Sequence, residues 1–146
     1  MNRVDLSEGE SEIRLMIVEL QDAICARDLA AIMAFYDDDA VSFDVKPPMQ
    51  LKGKAAIRAM WAECLPCFPA GGRIERRDIV TGSDGSIAYA HWHFQLIGMS
   101  PDPETVMWMR ATSVIRRAGD RWLVVHDHVS APFDPMTAKV VMNMEP

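Results

Sequence analysis

The chain has little cysteine, an excess of acidic over basic residues and no long apolar run, and each shortage closes off a class of function. Its 146 residues include three cysteines, Cys25, Cys64 and Cys67, an odd number that forms no closed set of pairs. A disulfide-stapled secreted scaffold is therefore not indicated, and reduced thiols in a cytoplasmic protein are expected. Cys64–Leu65–Pro66–Cys67 has the C-x-x-C spacing. A redox site of that kind wants a strand before it and a helix after it, whereas here helical periodicity precedes and Phe68–Pro69–Ala70–Gly71–Gly72 follows. Two thiols are also too few for zinc. Fifteen basic residues against twenty-one acidic ones give a net charge of -6, which disfavours a nucleic-acid partner. The dense basic stretch Arg73, Arg76 and Arg77 is broken by Glu75 and followed by Asp78, and reads as a solvated strand face. Met1–Asn2–Arg3–Val4–Asp5 leads into acidic residues, so no leader peptide is expected, and no apolar stretch is long enough to span a bilayer. Internal repeats, a G-x-G-x-x-G turn, a phosphate loop, G-x-S-x-G and H-E-x-x-H are all missing. No cofactor and no membrane partner are expected.

What is present is a globular composition, 49% hydrophobic and 25% charged, in a length that suits one domain over residues 1–146. Ser7 followed three positions on by Glu10 predicts a capped helix start, and Ile13, Ile17, Leu20 and Ile24 recur at helical spacing. Asp28 can cap a second helix carrying Leu29, Ile32, Met33 and Phe35 and ending near Tyr36. The carboxylates of Asp37–Asp38–Asp39 oppose its continuation at the unfavourable end of the dipole. A short strand is predicted at Ala40–Asp44. Pro47–Pro48 then forces an extended excursion, and a third helix runs from Lys54 to Leu65 through Ile57, Met60 and Trp61. From Arg73 the period changes to two. Strands are predicted at Arg73–Val80, Ser86–Met99, Thr105–Arg117 and Arg121–Ala131, with Ala118–Gly119–Asp120 a tight hairpin turn. Three helices followed by hairpin-linked strands indicate an α+β fold, with helices on one face of a curved antiparallel sheet. The tail from Pro132 can add an edge or wrap the surface.

Strand alternation groups the polar residues. His91 and His93, Arg110 and Thr112, and His126 and His128 each share a face with bulky apolar neighbours such as Trp108 and Trp122. A pocket explains this mixture, since ligand sites combine aromatic walls with a few placed polar groups. A satisfied structural network or a dimer interface explains it as well. Arg110 cannot shed its charge on burial, so it needs a carboxylate such as Asp44, or a bound anion. That arginine argues against a metal among the same histidines and favours an anionic or carbonyl-bearing ligand. In this reading the imidazoles and the guanidinium point into a shared hollow roofed by helices.

The chain also resembles the SnoaL-like and ketosteroid-isomerase-like proteins of the NTF2-like superfamily, over about residues 10 to 134. The resemblance is carried by Arg27–Asp28–Leu29, Phe35–Tyr36–Asp37–Asp38–Asp39–Ala40–Val41–Ser42–Phe43–Asp44 and Leu51–Lys52–Gly53–Lys54–Ala55–Ala56–Ile57–Arg58. Trp108–Met109–Arg110–Ala111–Thr112 and Arg121 through Phe133 complete it. It implies a cone, in which a strongly curved antiparallel sheet wraps helices around a pocket, and a homodimer. The aspartate with which ketosteroid isomerases shuttle a proton falls on Asp44. Their first-helix tyrosine falls on Leu20, and their second aspartate falls in Arg110–Thr112, where no carboxylate stands. SnoaL-like cyclases use an Asp/His pair, for which Asp44, His91 and His128 are candidates.

Together these readings predict a cofactor-independent lyase, isomerase or cyclase acting by acid–base chemistry next to a carbonyl. Asp44 or His128 removes the proton, and Arg110, with His91 or His126, stabilises the enolate oxygen. Tyr36, Trp61, His93, Trp108 and Thr112 line the pocket. The alternative is a non-catalytic binding module for a small hydrophobic acid or carbonyl compound.

Overall fold

A computed structural model describes residues 7–100, 102 and 104–146 of the chain. The reading placed on Met1–Asp5 falls outside the described residues. Helix α1 (Glu8–Cys25) begins at the expected cap. The Ser7 hydroxyl accepts the Glu10 N–H at 3.2 Å, and the Glu10 carboxylate accepts the Ser7 N–H at 2.8 Å. Two amides that the helix start leaves open are thereby satisfied. Ser7→Ala removes one of them and is expected to cost about 1 kcal/mol, read as a lower urea midpoint at unchanged m-value. Helix α2 (Leu29–Met33) starts on Asp28, whose carboxylate accepts the Ala31 N–H at 3.0 Å. It stops three residues before the expected Tyr36, because Tyr36 opens strand β1 (Tyr36–Phe43). The acidic triplet lies inside that strand, where Asp37 pairs with Arg116 and Asp38 reaches Lys54 at 3.9 Å. Their repulsion is spread along an extended chain instead of stacked on a helix end.

Strand β2 (Leu51–Lys52) and helix α3 (Lys54–Cys64) follow, and a 3-10 turn over Leu65–Cys67, carrying Pro66, closes the helix. The long strands are β3 (Arg73–Ser83), β4 (Ile87–Ile97), β5 (Trp108–Ala118) and β6 (Arg121–Ser130), within a few residues of the predicted bounds. The six strands β1–β6 form one sheet in the order β2-β1-β6-β5-β4-β3. It is mixed, not antiparallel throughout, because β1 runs parallel to β6. Parallel neighbours need a long crossover, and residues 44–120 supply it. Bulges in β3 between Arg77 and Val80, and in β6 opposite Val114 and Ile115, add local twist and bend to the curved sheet.

Three helices, two of them long, cover one face: α1 packs on β3 and β4, α3 on β1 and β2, and α2 joins them. Ile13, Ile32, Ile57 and Ile115 are fully buried between the layers. Arg76 is part of this layer, not a solvated face, since its guanidinium donates to Gln21 Oε1 on α1 at 3.0 Å. The tail forms a small hairpin, β7 (Phe133–Asp134) with β8 (Lys139–Val140), and wraps back over the sheet. There the Trp108 N–H donates to the Met142 carbonyl at 2.8 Å, and Arg77 reaches Glu145 at 3.8 Å. None of the described helices is long and apolar enough to cross a membrane.

Candidate functional site

Register across the sheet decides which side chains meet. One row runs Ala90, Ser113, Asp127, Ser42, and beside it runs the row His91, Thr112, His128, Phe43. The first row is turned to the helices: Ala90, Ser113 and Ser42 are buried, and so are Ala88, Trp92 and Phe94 along the same side of β4. The second row faces outward. The six polar residues singled out by alternation therefore do share one face, but it is the face directed away from the helices. The physical reason is size and polarity: Ala88, Ala90, Ala111 and Ser113 fit under a helical layer on the inside of a curved sheet, and the charged and imidazole side chains do not.

The outward histidines and Arg110 find local partners. Arg110 is exposed and donates to Ser130 Oγ at 3.2 Å, so it needs no carboxylate from Asp44. His93 lies 3.2 Å from Asp78, and His126 Nδ1 lies 2.7 Å from the Val41 carbonyl. His126 and His128 meet Phe43 edge-on at 4.7 and 5.5 Å, and His91 stacks on Tyr89 at 6.3 Å. Thr112 is exposed between His91 and His128. Trp108 belongs to the outer side too, buried beneath the tail with the Arg77 guanidinium 4.6 Å from its ring centroid. Among the described residues no three His, Cys, Asp or Glu side chains converge as metal ligands.

The inner face brings together a different set, to which the sequence contributed Tyr36, Trp61 and Asp44. The Tyr36 hydroxyl donates to Asp127 Oδ2 at 2.8 Å, and Tyr36 is 3% exposed. The other carboxyl oxygen, Asp127 Oδ1, is shielded from solvent and completes no hydrogen bond of ordinary geometry, although the Ser42 hydroxyl is near enough to pull the carboxyl pKa down. Ser42 stands directly opposite Asp127 in the parallel β1–β6 pair. Trp61 on α3 comes close enough to the Tyr36 phenol to hold its pKa down, yet its indole N–H completes no hydrogen bond. The Trp92 N–H is likewise unpartnered. Asp44 follows the end of β1, where its Oδ1 accepts the Lys46 N–H at 3.1 Å, and its charge acts on both Tyr36 and Asp127.

Burial governs the protonation of this group. It pushes the Asp127 carboxyl above the ordinary aspartate range; Ser42, Tyr36 and the charge of His126 pull it back, and Asp44 adds to the rise. Burial, followed by the neighbouring Asp127, pushes the Tyr36 phenol well above its usual value. A carboxyl that keeps its proton to higher pH, held at one oxygen by Tyr36, can take up and return a proton to a group that reaches its other oxygen. Asp127 stands between His126 and His128 and is turned to the opposite side of the strand, so the histidine pattern does not single it out. The available signal was an aspartate alternating with Val125 and Val129 in an otherwise apolar row.

Comparison with known proteins agrees with this architecture. The family model described as SnoaL-like domain matches residues 13–134. No curated protein matches the chain. Among solved structures, an NTF2-like protein of unknown function from Pseudomonas putida KT2440 is 38% identical, with a TM-score of 0.88 over 94% of this chain and 96% of its own. A ketosteroid isomerase-like protein from Erwinia carotovora atroseptica SCRI1043 is 16% identical, with a TM-score of 0.70 over 86% and 97%. A candidate dehydratase of the NTF2-like family from Streptomyces avermitilis is 18% identical, with a TM-score of 0.74 over 86% and 97%. With its six-stranded curved sheet wrapped on α1 and α3, the chain belongs to the SnoaL-like family of the NTF2-like superfamily.

Proposed function

We propose that this protein is a cofactor-independent lyase, isomerase or cyclase that moves a proton on a carbon next to a carbonyl, and that Asp127 carries the proton. The observation behind this reading is the buried Asp127 carboxyl, held at Oδ2 by the Tyr36 hydroxyl, approached by the Ser42 hydroxyl, and without a hydrogen bond of ordinary geometry at Oδ1. Oδ1 takes the C–H proton, while Tyr36 fixes the carboxyl orientation and limits how far burial raises its pKa. The unpartnered Trp61 N–H is the donor offered to the developing enolate oxygen. Asp44, onto which the resemblance carries the isomerase base, serves as the second carboxyl that keeps Asp127 from ionising too readily. The substrate is a small hydrophobic carbonyl compound, in keeping with the Trp61 indole beside the dyad. Structural relatives named as isomerase-like and as a candidate dehydratase favour the same class of chemistry.

The direct test is deuterium exchange. In D2O, a panel of small cyclic ketones and β-hydroxy ketones should lose α-proton NMR signal faster with the protein than without it. This readout does not depend on whether elimination, isomerisation or ring closure follows. Tight binding without exchange would instead establish the binding-module reading. Tyr36→Phe deletes a donor that holds the Asp127 pKa down, so the acidic limb of the exchange pH profile should move to higher pH. An unmoved limb would separate Tyr36 from the reaction.

A homodimer is part of the same proposal, through the outer sheet face. Phe43, Val80, Ile87 and Tyr89 are exposed there between the histidines, more apolar surface than a strand face bordering solvent requires. Tyr89→Lys should convert a dimer to a monomer in sedimentation equilibrium, with exchange activity per chain as the companion measurement.

A further inference from the structure

The end of helix α3 carries two thiols that the proposed proton chemistry does not use. Cys64 is the last residue of α3 and Cys67 the last of the 3-10 turn, so a single turn separates them. Both are free; Cys64 is half-buried and Cys67 exposed. From the loop between β1 and β2, Lys46 brings its Nζ to 2.9 Å from Cys64 Sγ. The acceptor offered to the Cys64 thiol hydrogen is the Met60 thioether at 3.8 Å, a weak one. The Lys46 ammonium is thus placed to stabilise negative charge that develops on this sulfur during a reaction.

The helix C-terminus disfavours negative charge at this sulfur, and the Lys46 ammonium in contact with it favours such charge. Asp44 and Glu63 also act on Lys46 at longer range, but the hydrogen bond of the ammonium goes to the thiol.

Although the C-x-x-C lacks the usual strand-and-helix setting, we propose that Cys64, with the Lys46 ammonium against its sulfur, is a nucleophile that reacts with hydroperoxides, and that Cys67 is its resolving partner. In the first step the Cys64 thiolate attacks one peroxide oxygen. An S–O bond forms, the O–O bond breaks, and the alkoxide or hydroxide leaves and takes a proton as alcohol or water. Sulfur is oxidised by two electrons and the peroxide is reduced. In the second step the Cys67 sulfur attacks the Cys64 sulfenic acid, an S–S bond forms, and the S–O oxygen departs as water with the Cys67 proton. The two cysteines stand three residues apart at the helix end, and the Cys67 thiol is turned back to the carbonyl of Glu63, the residue before Cys64, at 4.0 Å.

Exposure alone would make Cys67 the more reactive thiol, so the order of reaction discriminates. With limiting iodoacetamide at pH 7, peptide mass spectrometry should find Cys64 alkylated at least threefold faster than Cys67 or Cys25. This modest factor allows for the lower nucleophilicity of a stabilised thiolate. Lys46→Met should slow Cys64 by a similar factor and leave Cys67 unchanged, while Lys46→Arg retains the rate. One equivalent of hydrogen peroxide should lower the mass of the peptide spanning Cys64 and Cys67 by two hydrogens. In Cys67→Ser, dimedone should instead trap a sulfenic acid on Cys64. Faster alkylation of Cys67, an unchanged Cys64 rate in Lys46→Met, or no two-hydrogen loss would overturn the proposal.

Discussion

Replacing Asp127 by asparagine is expected to slow α-proton exchange by about 10²–10⁴-fold, the range that a positioned acid–base group supplies, while making the fold more stable at neutral pH. Asparagine keeps a carbonyl oxygen for the Tyr36 hydroxyl, so the 2.8 Å contact can persist and geometry is not the variable being changed. What disappears is a group that can ionise. Asp127 has its folded-state pKa raised, chiefly by burial, above the value of about 3.9 expected in the unfolded chain. Between those two pKa values the folded protein holds a proton that the unfolded protein has released. Stability therefore falls as pH rises through that window, and the ionised carboxyl is a net cost above it. Asp127→Asn removes this slope. Scanning calorimetry from pH 5 to 8 should show its Tm above that of the parent, by about 2–6 °C once the parent is ionised. A variant that loses exchange and stability together would mark Asp127 as a structural anchor. Asp37 acts in the opposite sense. The Asp39 N–H and then Arg116 hold its carboxyl low, so its contribution is present at neutral pH and is lost only as acid protonates it.

What the sequence made legible was local, and what it did not was long-range or ambiguous between the two faces of a strand. The Ser7/Glu10 cap, the spacing of Ile13, Ile17 and Ile24, and the hairpin at Gly119 are local signals, and each element lies where its signal put it. The outcome differed where the signal was periodic but the structure was not. Along β6, Trp122 and Val124 point inward whereas His126 and His128 point outward, because the strand takes an extra residue at Val125. Valine suits either face, so alternation runs through it unbroken and joins tryptophan to histidine on a single row. The face itself was ambiguous for another reason. Ala88, Ala90, Ala111 and Ser113 carry little hydrophobic weight individually, but small side chains are what the concave side of a bent sheet accommodates beneath helices. The parallel pairing of β1 with β6, which places Ser42 against Asp127 and brings Tyr36 under its carboxyl, joins segments about 85 residues apart and leaves no local trace.

The packing that holds Trp61 against this dyad can be tested through Ile57, which is 0% exposed on α3. Ile57→Ala should cost about 2–5 kcal/mol and Ile57→Val about 0.5–1.5 kcal/mol. The larger loss is a substantial part of the roughly 5–15 kcal/mol that holds a domain together. Urea unfolding should therefore show the alanine midpoint displaced several times further than the valine midpoint, at equal m-value. Ile57 and Trp61 are four residues apart, hence neighbours on one helix face, and both belong to the layer beneath β1. Shortening Ile57 by one methyl leaves the protein folded and gives the indole more room to swing from the Tyr36 phenol. Exchange rates for Ile57→Val, Trp61→Phe and the double variant close a thermodynamic cycle. If Ile57 works by holding Trp61, the valine substitution slows exchange in the parent but adds little once the indole N–H is gone. Strict additivity would mean that the helix backbone, and not this side chain, sets where the donor sits.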